Sequence, residues 1–510
     1  MSRKPAAPVA DICLVLEGTY PYVSGGVSTW VHQLLHMFPE WKFALFYFGA
    51  QKDPASKAKY DLPANVTVLE EVYLFDPNER RSLLGGGGMD RWRPFYEAVR
   101  KFCVRIPEGD RNDLDLLLTL FQQVAAHQRM DFDTFWNSRE TWGVVHELYD
   151  RYANGESFLN FFWMTRFLIQ PLWKFARAMD RMPEARLYHT ACTGYAGIAA
   201  AIASARGGRP LLLTEHGIYL RERIADICCS PWIPDQLVRR PNLDEPLGSL
   251  RRLWIGFFDL AGRLCYNQSS EIVSLFGKNA RAQEHFGADA AKITLIPNGI
   301  RTEEFGELKQ QRDKRRQNEP GSRVVGFLGR VVSIKDVKTL LRTARKVHDE
   351  LPEARFLIAG PTEEEPEYYR ECQELVEQLG VQDCVSFLGP TKRQEFLPRI
   401  DVMILSSISE GLPFVIIESL AAGVPVVSTD VGACSELLNG QPGESPAHGC
   451  AGLVAEVGDS SGLARHLVRV LTDRPFSDSL TAVGLARVQR LYHETAIKDA
   501  YHKLYSAHLS

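Results

Sequence analysis

Hydrophobic and polar positions along the 510-residue chain follow two periods that take turns. Short unbroken apolar runs, bounded by Gly, Pro or Asp, alternate with longer stretches in which apolar residues recur every three or four positions. That alternation is what parallel strands covered by helices produce. In the first part of the chain strands are expected at residues 11–18, 42–48 and 66–75, with a helix at 27–38 after the first. The pattern resumes with strands at 187–190 and 211–214 around a helix at 194–206, and continues through 264–267 and 293–297. A second set of strands is expected at 324–328, 355–359, 385–388, 402–406 and 425–428, separated by helix-length segments. The fold class is therefore α/β, with two Rossmann-like doubly wound domains, since a chain of this length exceeds what one core can organise.

Two stretches break the rhythm. Residues 77–185 are aromatic, helical in period and poor in β-branched runs, which marks a helical insertion in the first domain. Residues 301–322, rich in Glu, Gln, Lys and Arg and closing on Glu319, Pro320 and Gly321, read as a solvated linker. The division expected is a first domain over 1–300, the linker, a second domain over 323–490, and a final helix over 491–510 packing across the domain boundary. Doubly wound domains bind ligands outside the carboxyl ends of their strands, so a facing pair predicts a ligand cleft between them.

Composition narrows the partners. A formal net charge of −4 and a pI near 6.4 leave no basic surplus for a nucleic-acid backbone. No apolar run reaches the ~20 residues that span a bilayer; the nearest, 158–175, is interrupted by Arg166, Gln170 and Lys174. The apolar run at 12–16 is too short for a signal peptide and reads as a first strand. The ten cysteines show no C-x-x-C pair and no His/Cys cluster, so neither a zinc site nor a disulfide framework is expected. Cys228 and Cys229, adjacent in a loop, read as inert, and the whole fits a soluble protein of a reducing cytoplasm.

Three segments carry candidate chemistry. Gly25 and Gly26 lie between the first strand and first helix, where the backbone can approach a ligand and free N–H groups favour an anion; the same pattern is also ordinary turn chemistry. Arg330 and Lys335 follow the strand at 324–328 directly, next to Gly329, where a planar fork and a point charge can converge on a diphosphate. Glu410, Gly411, Leu412 and Phe414 surround the start of a helix at Pro413, and Glu418 lies within it. A carboxylate among Ile416, Ile417 and Leu420 needs partners, and sugar or ribose hydroxyls would supply them.

The arrangement G-R-x4-K at 329–335, E-x7-E at 410–418 and PNGI at 297–300 resembles the retaining family-4 type glycosyltransferases of GT-B fold. The resemblance implies that Arg330 and Lys335 bind the donor diphosphate, Glu410 contacts the transferred sugar, and Glu418 contacts the ribose. It also places Gly25, Gly26 and Asn298 near the donor and gives His216 a contact to the donor sugar. His189 is left open between a site and a satisfied core residue. LEGTYPYVSGGVSTWVHQL from Leu16, the helical insertion and TEHGIYLRER from Thr214 are similar to the transferases of Pel exopolysaccharide systems. Arg301 and Ala433 depart from the family pattern and affect the details of the hinge and donor loop.

The activity implied is cytosolic transfer, with retention, of a hexose or N-acetylhexosamine from a UDP-sugar to a growing polysaccharide, with no cofactor and no metal. Inner-membrane synthase and export proteins are the expected partners. The Asp113–Asp115 and Asp131–Asp133 pairs imitate a metal motif but fall in the insertion. Competing readings are an epimerase or hydrolase on the same fold, and a nucleotide-sugar-binding scaffold that docks to a membrane assembly through residues 158–175.

Overall fold

The computed structural model describes residues 9–509 apart from 24, 53–56, 76–95, 98, 102–118, 120–131, 154–155, 234–247, 442–443 and 445–447. Asp113, Asp115 and Asp131 lie outside the described residues, as does most of the stretch 113–127. The chain divides into two compact units. The first takes the chain up to Ser274 with Ala280–Thr294 and Leu504–Ser510; the second takes Leu275–Asn279 and Leu295–Lys503.

The first unit is built on a seven-stranded sheet of order β3-β2-β1-β4-β5-β6-β7. Its strands are β1 (Ala10–Glu17), β2 (Phe43–Gly49), β3 (Val66–Tyr73), β4 (Ala185–Thr190), β5 (Leu211–Glu215), β6 (Glu271–Ser274) and β7 (Ile293–Leu295). Chain order reverses on either side of β1, which pairs in parallel with both β2 and β4. The carboxyl end of β1 is thus the switch point where connections diverge and leave a crevice. Both faces are covered, so β2 is buried along its whole length and reads as an uninterrupted apolar run.

The second unit repeats the plan with six strands in the order β10-β9-β8-β11-β12-β13. They are β8 (Val324–Leu328), β9 (Arg355–Ala359), β10 (Val385–Gly389), β11 (Val402–Leu405), β12 (Val426–Thr429) and β13 (Gly452–Ala455). Here the reversal falls between β8 and β11, which pair in parallel. The two segments singled out for donor chemistry leave these two neighbouring strands at their carboxyl ends.

Three expectations are corrected. Residues 264–267 are no strand: they close the helix Ser249–Gln268, and the strand follows at β6, where Ile272 and Val273 make too short an apolar run to stand out. The strand β13, which opens on Gly452, also went unpredicted. The segment read as a linker is instead a 3-10 turn at Thr302–Phe305 and a helix at Gly306–Asn318. Its charges are aimed at the chain just ahead of β11. Arg312, wholly buried, donates to the carbonyls of Ile400 (3.3 Å) and Asp401 (3.0 Å), and Arg315 donates to the Pro398 carbonyl (3.0 Å) and the Asp401 carboxylate (2.7 Å). Composition registers the charge and is blind to its target.

The described part of the insertion is helical, as expected. Its aromatic side chains join the first core, with Phe175 stacked on Phe48 at 5.3 Å and Trp173 on Phe135 at 4.7 Å. The helix Phe158–Ala178 has two apolar faces: Phe161, Leu168, Leu172 and Phe175 are buried, while Leu159, Trp163 and Phe167 stand 63%, 45% and 47% exposed. No described helix is long and apolar enough to cross a membrane.

Loss of the Arg312 side chain leaves two buried carbonyls without donors and a cavity. Arg312→Ala is expected to cost about 2–4 kcal/mol of stability in urea denaturation, whereas Lys314→Ala, at an exposed position of the same helix, should stay within ~0.5 kcal/mol of the parent. Equal effects would return the segment to a linker.

Candidate functional site

In the second unit the loop after β8 is held by continued pairing with the chain after β9: Gly329 N–H donates to the Ala359 carbonyl and Val331 N–H to the Pro361 carbonyl, both at 2.9 Å. The fit is close enough to dictate a glycine opposite. A Cβ at Gly360, where φ is +149°, would stand 1.9 Å from the Gly329 carbonyl oxygen. The loop then turns through Ser333–Lys335 and enters the helix Val337–Glu350, whose first turn Asp336 caps from a left-handed conformation (φ 45°) by accepting from the Thr339 N–H. A short aspartate tolerates that conformation and satisfies an otherwise open amide.

This turn places the Lys335 ammonium 2.6 Å from Glu410 Oε1, and the Ser407 hydroxyl donates to the same oxygen at 2.6 Å. Oε2 of Glu410 has no hydrogen-bond partner among the described residues. Both side chains are largely withdrawn from water, at 21% and 11% exposure, so the pair is held more firmly than a surface ion pair. Arg330 lies elsewhere. Half exposed, it bonds both oxygens of Glu364 through Nη1, at 2.5 and 2.6 Å, while Glu365 accepts from the Ser333 N–H at 2.9 Å. The two cations, read from sequence as converging, thus have separate carboxylate partners.

Beyond Glu410, the loop is clasped to the loop after β12. Ala433 N–H donates to the Gly411 carbonyl at 2.9 Å, and a Cβ at Gly432 (φ +52°) would fall 2.3 Å from the carbonyl oxygens of both Glu410 and Gly411. The helix Phe414–Ala421 follows, entered through Pro413. Leu412 is buried in the core, so this position offers a ligand its backbone only. Glu418 emerges from the helix to an ion pair with Arg393, a residue that sequence reasoning missed. Burial pushes the Glu418 carboxyl up and Arg393 pulls it back. Asn298 is buried with no partner for its Oδ1 among the described residues, in a segment fixed by the Ile300 N–H donating to the Tyr492 carbonyl at 2.9 Å.

In the first unit, Gly25 and Gly26 are exposed at the start of the helix Gly26–Met37. His216 follows β5 with its ring edge-on to Trp30 at 4.7 Å and its Nε2 sealed from water without a partner; burial pushes its pKa down to about 3. His189 differs. Its Nδ1 meets the Tyr505 hydroxyl at 2.7 Å and its Nε2 the Thr214 hydroxyl at 2.9 Å, which makes it a satisfied core histidine, also pushed down to about 3 by burial.

Two carboxylates beside these histidines went unremarked in the sequence. Glu17 at the end of β1 accepts from the Tyr219 hydroxyl (2.9 Å) and the Ala196 N–H (3.1 Å). Glu215 at the end of β5 accepts from the Tyr266 hydroxyl (2.7 Å), Gln283 (3.0 Å) and the Tyr219 N–H (3.1 Å). Burial raises both, and the donors oppose it. The signal available was position: each is the acidic residue that ends an apolar strand.

The profile of the family described as domain of unknown function (DUF3492) matches residues 10–291, more than half of the chain. The chain belongs to that family. Residues 322–473 match the glycosyl transferases group 1, so the β8 and β11 site lies in a group 1 domain. Among curated relatives, a D-inositol 3-phosphate glycosyltransferase of Corynebacterium jeikeium is 25% identical over 257 residues, 48% of this chain and 58% of the relative. An N-acetyl-alpha-D-glucosaminyl L-malate synthase of Bacillus anthracis is 29% identical over 173 residues, 34% of this chain and 42% of the relative. The chain spans about half the length of the curated relatives it matches. Among solved structures, Anabaena HepE in complex with UDP superposes with a TM-score of 0.57 at 15% identity, covering 98% of this chain and 100% of that one. A sucrose-phosphate synthase from Thermosynechococcus elongatus gives 0.57 at 16%, covering 98% of each. Likeness at these identities establishes the fold, and the fold is GT-B, two Rossmann-like units.

Two outcomes follow from this geometry. Gly360→Ala should destabilise the protein by roughly 2–3 kcal/mol, because backbone must move at a left-handed position, while Gly321→Ala, which meets nothing within 4 Å, should be near neutral in the same denaturation series. His189 should remain neutral in the fold well below pH 6.5, its ring resonances unmoved by NMR from pH 8 to 5. Because the unfolded chain alone takes up that proton, stability should fall as pH drops from about 6.5 toward 3, by at most ~1.4 kcal/mol per pH unit for this ring. A ring titrating near 6.5 in the folded protein would contradict the assignment.

Proposed function

We propose that the chain is a retaining glycosyltransferase of the PelF kind, which transfers a hexose or N-acetylhexosamine from a UDP-sugar to a growing Pel-type exopolysaccharide in the cytosol. The observation that carries the reading is the Lys335–Glu410 pair at the β8–β11 switch point of a group 1 domain. One cation and one carboxylate with a free oxygen, side by side at a strand-end crevice, suit a ligand that is anionic at one end and hydroxylated at the other. Solved neighbours of this fold include a protein crystallised with UDP, and curated relatives carry glycosyltransferase names, which supports the same donor class here.

In this reading a sugar diphosphate recruits Lys335, and Arg330 exchanges Glu364 for phosphate oxygens. The bond from the anomeric carbon to the departing phosphate breaks as the acceptor oxygen bonds the same face, and the acceptor's proton leaves with the diphosphate. Lys335, Arg330 and the backbone amides from Gly411 to Phe414 stabilise the charge that grows on the leaving group, a preorganised electrostatic role that asks for no metal. Glu410 holds the transferred sugar and Glu418 the ribose. The roles that the resemblance gives Gly25, Gly26, Asn298 and His216 belong to this reading too. Polysaccharide is the acceptor, and inner-membrane synthase or export proteins are the partners.

A docking role beside transfer is favoured by the exposed row Leu159, Trp163 and Phe167. Trp163→Ser with Phe167→Ser should leave transfer intact and abolish recruitment to membranes if that role holds.

Titration calorimetry tests the main reading. UDP should bind the parent, and Lys335→Ala should weaken it by about 10–100-fold through loss of a charge-assisted bond. Glu364→Gln should tighten UDP by ~2–5-fold, since it frees Arg330 from an exposed pair. Product analysis with acceptor present and absent distinguishes transfer from epimerisation or hydrolysis. No UDP binding by the folded parent would end the proposal.

A further inference from the structure

Glu418 is held from one side only. Its Oε1 accepts from Nη1 of Arg393, whereas its Oε2 has no hydrogen-bond partner among the described residues and is not sealed by them from solvent. Arg393 comes from a different element, the short turn of helix at Arg393–Phe396 that follows β10. Its other terminal nitrogen, Nη2, donates to Glu304 at 3.0 Å, and its guanidinium lies over the Phe305 ring, 5.2 Å from the centroid. Phe305 is buried, and Glu304 is in turn bonded by Arg301 at 3.1 Å. The Arg393 fork is thus fixed by a carboxylate, a ring face and a second carboxylate, in three directions. A planar guanidinium suits such a seat better than an ammonium, which would keep the charge and lose the fork and the stacking.

The charged groups acting on Glu418 are Arg393, which favours its ionised form, and Glu304, which opposes it; burial opposes it most. A carboxylate whose partner occupies one oxygen and leaves the other open is prepared to accept a hydrogen bond from a hydroxyl. Unpaired, the same group would tend to take up a proton and lose part of its acceptor capacity.

We propose that Arg393 is a positioning residue for the nucleotide: it orients Glu418 so that Glu418 Oε2 can accept from the ribose hydroxyls of the donor. The inference rests on the reading of Glu418 as the ribose ligand. It adds that discrimination of ribose depends on a residue from the β10 turn that touches no substrate.

The test is calorimetry of UDP and of its 2′,3′-dideoxy form with parent, Arg393→Lys, Arg393→Ala and Glu418→Gln proteins, from pH 5 to 8. Loss of Arg393 should weaken UDP by about tenfold, the scale of a charge-assisted hydrogen bond, and leave dideoxy-UDP nearly unchanged. The sign with pH is set. Removing the cation raises the Glu418 pKa further, so UDP affinity in Arg393→Ala should begin to fall at a higher pH than in the parent as pH is lowered, with Arg393→Lys between the two. Equal loss of UDP and dideoxy-UDP, or an unmoved acid limb, would reduce Arg393 to a structural brace and overturn the proposal. Unaltered UDP binding by Glu418→Gln is a different failure: it would remove the ribose reading itself, whatever Arg393 does.

Discussion

A carboxylate drawn out of water has to meet a cation or a set of donors, and the second unit is arranged around two such meetings. Lys335 reaches Glu410 from the loop after β8, and Arg393 reaches Glu418 from the turn after β10. Each pair joins segments far apart in sequence, so forming it requires the sheet to be assembled with its strands in the right order. Each also spends one carboxylate oxygen and leaves the other available. The close backbone approaches at Gly360 and Gly432 serve the same arrangement, because they fix where the loops carrying these side chains leave the sheet.

The first unit solves burial differently. Its strand-end carboxylates, Glu17 and Glu215, are surrounded by hydroxyl, amide and backbone donors, and none of the hydrogen bonds described for them comes from a lysine or arginine. Its two strand-end histidines are kept neutral by burial. The described bonds to the strand-end carboxylates thus differ in kind, ion pairs in the second unit and hydroxyl, amide and backbone donors in the first. An electrostatic task, such as holding a leaving anion, suits the former; recognition of uncharged hydroxyls suits the latter.

The two-unit α/β plan was legible because strands such as β2 and β8 are continuous apolar runs that the order of residues exposes. Lys335, Glu410 and Glu418 could be singled out as candidates because glycine and proline mark the turns beside them. The strands β6 and β13 were not, since Glu271 and Ser274 leave β6 only two apolar residues and β13 opens on Gly452. Arg393 and Gly360 were invisible for another reason: what distinguishes them is the neighbour brought by the fold, and no local spacing encodes it, whereas Glu17 and Glu215 could have been read from their place at the end of apolar strands. The misread linker is the sharpest case. Arg312 looks like any solvated arginine until the carbonyls of Ile400 and Asp401 are seen beside it.

Tyr505 belongs to the last helix of the chain, yet its hydroxyl completes the hydrogen bonds of His189, 316 residues earlier, and its ring sits edge-on to Phe38 and Trp41. Leu509 extends the same attachment by offering its carbonyl to Arg186. The final turns of the helix therefore act as a stopper in the first core. Removing these turns from their seat would uncover a histidine nitrogen and two aromatic rings together, so one tyrosine seals a polar and an apolar surface at once.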